Sequence, residues 1–162
     1  MILAFDLSLT CTGYSVFSDD GKFIETNHIE TDKGLNTPLR LKHIAKILRL
    51  LKKQYKPKFI LIEKGFYRYN TSTEQIFRVH GITNLIFCDV EQIEIHATSV
   101  RKLVEGHGNI DKDTLRKFIS KKYPDIEFEN YDEIDSFALG LSYFRKELYN
   151  DEGNLQKNNC YR

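Results

Sequence analysis

Cysteine is scarce. The 162-residue chain has three, Cys11, Cys88 and Cys160, far apart and without a CxxC pair. That excludes the disulfide framework of a small secreted domain and a cysteine-rich zinc site. No apolar run approaches the ~18 residues that would read as a membrane span. The opening MILAFDLSLT has neither a basic lead nor a long apolar stretch, so no secretory leader is expected. Net charge is nearly absent too: 24 Lys plus Arg against 23 Asp plus Glu leave a formal +1. Total charge therefore identifies no class of partner, and only its distribution can. Internal repeats and linker-like stretches are also lacking. The expectation is a soluble, cytoplasmic protein of a reducing compartment. Apolar residues at 41% and charged residues at 29% are globular values, and exclude a disordered chain. The length suits one domain, expected over residues 1–149, followed by a polar tail over 150–162.

What is present begins with strands. Ile2 to Leu7 is a short apolar run, Tyr14 to Ser18 a second, and Lys22 to Glu30 a third. Asp20-Gly21 between the last two is a hairpin signal. Asn36-Thr37-Pro38 reads as a helix start, with Pro at the first helical position. Leu41, Ile44, Ala45, Leu48, Leu51 and Tyr55 then repeat at helical spacing until Pro57. Phe59 to Ile62 is a continuous apolar run, as in a buried parallel strand. A helix from about Thr71, a strand over Val90 to Ala97, a short helix through Val104, a helix over Asp111 to Tyr123 and a last helix from near Asp132 to about Leu148 complete the pattern. The order βββ-α-β-α-β-α-α predicts an α/β fold: a mixed sheet of three antiparallel strands, then parallel strands, with helices on both faces.

The acids are the most informative residues. Asp6 ends one apolar strand and Glu63 ends another; Asp132 and Asp135 stand at i and i+3 at the start of the last helix. An unpaired buried carboxylate is expensive. If the first and fourth strands are neighbours, Asp6 and Glu63 lie side by side, and a helix packed on them brings Asp132 and Asp135 to the same point. Acids that close do not all ionise without a cation. Hard divalent cations take oxygen ligands, and two of them clamp the attacking and leaving oxygens of a phosphodiester. Each acid also has a plainer reading. Asp6 can start a turn, and Asp132 with Asp135 can be an N-cap and an N3 acid. The four together favour a shared metal site.

Local charge points the same way. From Lys33 to Ile62 there are nine basic residues and no acid, whereas Pro124 to Asp135 has six acids and no base. A solvated helix face accounts for most of those lysines; the acidic stretch repels DNA unless metal or distance intervenes. After Glu63 the loop Lys64-Gly65-Phe66-Tyr67-Arg68 is aromatic and basic. Aromatic faces stack on bases, and Lys and Arg contact phosphates. The alternative is that Phe66 and Tyr67 pack in the core.

These pieces, in this order, resemble the RuvC family of Holliday-junction resolvases on the RNase H-like fold. Asp6-Leu7-Ser8 through Thr12-Gly13-Tyr14 resembles the first-strand motif, Arg40-Leu41 the first-helix signature, and Ile62-Glu63 with Phe66 the close of the fourth strand. Gly106-His107-Gly108 with Lys112 resembles the Gly-x-Gly-x-x-x-Lys loop, and Asp132-Glu133-Ile134-Asp135 the closing Asp-x-x-Asp. The resemblance implies that Asp6, Glu63, Asp132 and Asp135 hold two Mg²⁺ or Mn²⁺ ions, with Lys112 near the scissile phosphate. It implies DNA contacts from Phe66, with Tyr67 beside it, and from Lys112, to which the basic loop adds Lys64 and Arg68 as candidate phosphate contacts; it also implies a homodimer acting on four-way junctions. Leu7-Ser8 stands where Pro-Gly is common, Lys64 where Gln is frequent and Ser136 where Ala is usual; these departures resemble phage-type members. The function expected is a metal-dependent, structure-specific endonuclease leaving 5′-phosphate and 3′-hydroxyl ends. An RNA-processing nuclease of the same fold and a non-catalytic branched-DNA-binding module are the alternatives. A sugar-kinase-like reading needs two such lobes, and the chain supplies one.

Overall fold

Alternation along the first strand decides the architecture. Leu3 and Phe5 are buried on one face of the sheet, Ile2 and Ala4 on the other, so both faces must be covered. The structure, a computed structural model, describes residues 1–64, 71–105 and 110–159. Strands β1 (Ile2–Asp6), β2 (Cys11–Phe17) and β3 (Phe23–Glu30) form an antiparallel meander. Strands β4 (Phe59–Lys64) and β5 (Glu91–His96) add on the far side of β1, parallel to it, in the order β3-β2-β1-β4-β5. The five-stranded mixed sheet is the one expected.

Helices α1 (Thr37–Tyr55) and α2 (Thr71–Ile86) cover one face. Ile44, Ala45, Leu48 and Leu51 of α1 meet Leu3, Phe5, Ile60 and Ile62 there, with Val79 and Ile86 of α2 beside them. The apolar stripe read from the sequence is the buried one. Asn36 caps α1 by accepting from the Leu39 amide, with Pro38 one residue further in than expected. The helix ends at Lys56, whose φ of 45° is left-handed, because the residue before Pro57 is kept out of the α region.

Helices α3 (Ala97–Glu105), α4 (Lys112–Lys122) and α5 (Tyr131–Asn159) cover the other face. Val100, Leu115, Ile119, Ile134 and Phe137 pack there on Ile2, Ala4, Phe17, Phe59 and Leu61. Phe137 stands at the centre, with its ring in contact with those of Phe17, Phe23, Tyr123 and Phe128. Burying these side chains removes most of the apolar area that stabilises this layer, at roughly 1.5–3 kcal/mol for each large side chain.

Two boundaries differ from the sequence expectation. β2 begins at Cys11, three residues before Tyr14, because its pairing with β3 continues to Cys11 opposite Glu30. α5 continues to Asn159 rather than ending near Leu148. The residues after Tyr149 include no proline, and Glu, Gln and Lys are good helix formers.

Candidate active site

Strand parity sets the first two acids. Asp6 follows Ile2 and Ala4 on the α5 side of β1, and Glu63 follows Phe59 and Leu61 on the same side of β4. The register pairs Phe5 with Ile62, so both carboxylates leave the ends of adjacent parallel strands, where open α/β sheets place their sites. The loop after Asp6 is tied down from several directions. Thr12 Oγ1 accepts from the Ser8 amide at 3.1 Å and donates to the Ser8 carbonyl at 2.7 Å. Arg40 of α1 donates to Thr31 Oγ1, the Leu9 carbonyl and Thr10 Oγ1 at 2.9–3.3 Å. The basic residue of the first-helix signature is thus a strut for the turn that follows Asp6.

The start of α5 brings the other two acids. Asn130, not Asp132, is the capping residue: its Oδ1 accepts from the Glu133 amide at 3.0 Å, and Glu133 Oε2 accepts from the Glu129 amide at 3.0 Å. This is a variant of the capping box. Asn130 thus takes the N-cap place that the plainer reading gave to Asp132, and Asp132 stands in the first turn of α5. Glu133 is 2% exposed, and its other oxygen accepts from His28 Nδ1 on β3 at 2.7 Å. A carboxylate only accepts, so Nδ1 carries the proton. His28, Glu129 and Glu133 bring one ligand atom each within 4.8 Å of one another; the contacts of Glu133 make this group a brace for the helix start.

Asp6 feels all the others. Its carboxyl is pushed up to about 7, first by burial and then by Asp135, Glu63 and Asp132, with Lys112 pulling it down. Glu63 is raised by burial and Asp135, against Lys112 and Arg101. Burial alone would lower the Lys112 ammonium, yet Asp6, Asp135 and Glu63 raise it above its ordinary value. Lys112 Nζ is 3.0 Å from Asp135 Oδ2. It therefore stands among three acids as a monovalent cation.

Asp135 is 7% exposed and is gripped by Arg116 of α4. Nε donates to Oδ1 at 3.1 Å and Nη2 to Oδ2 at 2.7 Å. The guanidinium lies 4.4 Å from the centre of the Tyr131 ring. Asn130 Nδ2 donates to Cys11 Sγ at 3.7 Å, and burial first, then the neighbouring Asp132 carboxylate and other acids, raise the thiol to about 12.

The donor set suits a hard divalent ion. Among the described residues, neither Asp6 nor Glu63 has a hydrogen-bond partner, and both are desolvated. Carboxylate oxygens left in that state match the ligand preference of Mg²⁺ or Mn²⁺. The four acids are neighbours electrostatically, but no three of them, among the described residues, bring one oxygen each within 4.8 Å of one another. Asp135 is turned onto Arg116 and Lys112. Sequence reasoning missed Arg116, Glu133 and His28; only the α4 spacing Lys112 to Arg116, one helical turn, hinted at the first. Lys64 lies 3.9 Å from Glu94. Phe66, Tyr67, Arg68 and the Gly106-His107-Gly108 loop lie outside the described residues.

Three comparisons bear on this arrangement. The family model for crossover junction endodeoxyribonuclease RuvC matches residues 2–141. This chain belongs to the RuvC family. A RuvC crossover junction endodeoxyribonuclease of Synechococcus sp. is 25% identical over 147 residues, covering 87% of this chain and 96% of the relative. The RuvC structure from Thermus thermophilus superposes with a TM-score of 0.75 at 16% identity, covering 91% of this chain and 95% of that one. RuvC of T. thermophilus in complex with its Holliday junction substrate gives 0.72 at 16%, with 90% and 95% covered. At such identity the superpositions establish the RNase H-like fold; the family match carries the nuclease class. No described helix is long and apolar enough to cross a membrane.

Proposed function

We propose that this protein is a metal-dependent endonuclease that cleaves four-way DNA junctions as a homodimer, with Asp6, Glu63, Asp132, Asp135 and Lys112 as its working groups. The observation that carries the reading is the placement of Asp6 and Glu63 at adjacent strand ends, coupled to Asp132, Asp135 and Lys112 from the covering helices, in a chain of the RuvC family. When bound, a pair of Mg²⁺ or Mn²⁺ ions would supply Lewis-acid stabilisation of charge on the scissile phosphate. Asp6 would be the first ligand of such ions, because it is buried beside Lys112 and feels Asp135, Glu63 and Asp132. Glu63 and the Asp132/Asp135 pair flank it. Lys112, with a donor face left over from Asp135, steadies the developing phosphate charge. Hydrolysis then leaves 5′-phosphate and 3′-hydroxyl ends. Lys64 ends the strand that carries Glu63, and Phe66, Tyr67 and Arg68 follow it in sequence; these four would supply the stacking and phosphate contacts to the junction.

The test is cleavage of a synthetic four-way junction beside linear duplex and structured RNA, with and without Mg²⁺. Symmetric nicks in the junction alone are expected, with Asp6→Asn binding the junction but leaving it uncut. Cutting of RNA alone would assign the protein to RNA processing. Binding without cutting by the unaltered protein would make it a branched-DNA-binding module, and normal cutting by Asp6→Asn would refute the site.

A further inference from the structure

Asp135 is not an open ligand in this fold. A carboxylate has about four lone-pair directions. Arg116 takes one on each oxygen, through Nε at 3.1 Å and Nη2 at 2.7 Å, and Lys112 takes a second on Oδ2 at 3.0 Å. The guanidinium is itself fixed: it stacks on Tyr131 at 4.4 Å, and its Nη1 is 3.3 Å from Asp113. Its side chain is 16% exposed, so the pair is held away from bulk water, where a bidentate Arg–carboxylate contact has its greatest directional strength.

We infer that Arg116 is a positioning residue for junction cleavage, which orients Asp135 for the metal site and, by competing for its oxygens, holds metal affinity below what four acids would otherwise give. The inference rests on the metal reading proposed above. Two consequences separate. The charge of Arg116 opposes a cation arriving beside Asp135, whatever the shape of the group that carries it. The fork geometry fixes the Asp135 rotamer, which only a planar guanidinium does. Removing the charge should tighten metal binding; removing the fork should loosen the carboxylate and slow the chemistry.

The experiment is calorimetric titration of the whole protein with Mn²⁺, together with junction cleavage at saturating Mg²⁺, for Arg116→Gln and Arg116→Lys. Arg116→Gln is expected to bind Mn²⁺ about three- to tenfold more tightly and to lose about tenfold or more in kcat. Arg116→Lys should keep Mn²⁺ affinity within about twofold of the unaltered protein, yet share the kcat loss. A merely structural arginine would give lower melting temperatures with Mn²⁺ affinity unchanged or weaker in Arg116→Gln, which would overturn the inference. Full cleavage by Arg116→Lys would overturn its geometric half. Failure of the unaltered protein to bind Mn²⁺ would instead overturn the metal reading itself, and is distinguishable because no variant enters that measurement.

Discussion

Gly13 of β2 is pressed against the main chain of Asp132 at the start of α5. A Cβ placed on Gly13 would stand 2.0 Å from the Asp132 carbonyl oxygen and 2.2 Å from its carbon. Gly13 is also the register partner of Asp6. The same missing side chain thus lets the helix that carries two acids settle beside the strand that carries the third. Backbone does not yield as a flexible side-chain tip does. Gly13→Ala should cost roughly 2–4 kcal/mol of stability, and should lower cleavage by more than its unfolded fraction explains. Gly81 in α2 is the control: a Cβ there meets nothing within 4 Å. Gly81→Ala should leave cleavage unchanged and raise stability by roughly 0.5–1 kcal/mol. Urea unfolding and junction cleavage on both variants check this.

The Asp6 carboxyl, about 7 in the fold against 3.8 ordinarily, makes stability depend on pH in a stated direction. Between those values the folded protein keeps a proton that the unfolded chain has released. Stability of the metal-free protein should therefore fall as pH rises from about 4 to 7, then level off. Asp6→Asn removes the Asp6 share of this slope, leaving that of the raised Glu63, and should be the more stable protein at pH 8, by on the order of 1 kcal/mol after allowing for partial exposure. Millimolar Mg²⁺ should stabilise the unaltered protein and not the variant. Melting curves across pH, with and without Mg²⁺, measure both effects. A flat profile for the metal-free protein would place Asp6 in a wetter setting than its neighbours imply.

Ser136 stands where the family resemblance led one to expect alanine, and the structure shows what answers it. Ser136 Oγ is 2.7 Å from Ser15 Oγ, which is 3.0 Å from Thr26 Oγ1, and Ser136 also donates to the Glu133 carbonyl at 2.8 Å. Three hydroxyls thus join β3, β2 and α5 across a buried layer. Removing one partner of a buried pair leaves the other unsatisfied, so the two single costs overlap. Ser136→Ala and Ser15→Ala should each cost about 1 kcal/mol, while the double variant should cost less than their sum by about 0.5–1 kcal/mol. Chemical denaturation of the four proteins closes the cycle, and strict additivity would show that the two hydroxyls act independently.

What the sequence disclosed was whatever follows from periodicity and from chemistry at element ends. The apolar runs Ile2 to Phe5 and Phe59 to Ile62 marked Asp6 and Glu63 as acids at strand ends; that both leave the same face follows from the parallel register of β1 and β4, because side chains alternate along a strand. The stripe from Leu41 to Tyr55 was legible from its helical spacing, with Ile44 and Leu48 fully buried as expected. Contacts between distant elements were not legible. Arg116 meets Asp135 nineteen residues away, and His28 meets Glu133 across 105; nothing local in either sequence neighbourhood requires the partner. The N-cap of α5 was not legible either: Asp132 stood as the candidate in the plainer reading, both Asn and Asp serve as N-caps, and the bond from Glu133 N to Asn130 Oδ1 gives the place to Asn130.

Lys112 gives the last prediction. Its ammonium lowers the carboxyls of Asp6 and Glu63, against burial that raises both. Replacing it by methionine keeps much of the side chain's length and apolar packing but removes that charge. With the cation gone, Asp6 and Glu63 should hold their protons to still higher pH. In the proposed function cleavage requires those carboxylates ionised, so the acid limb of the rate profile should move to higher pH in Lys112→Met. At the alkaline plateau the carboxylates are restored, and the remaining deficit measures the direct action of Lys112 on the phosphate, expected at about 10- to 100-fold. A loss without a shift of the limb would confine Lys112 to the substrate. A shift without a plateau deficit would confine it to holding the acids ionised. The direct bond to Asp135 and the coupling to Asp6 and Glu63 predict that both effects appear together.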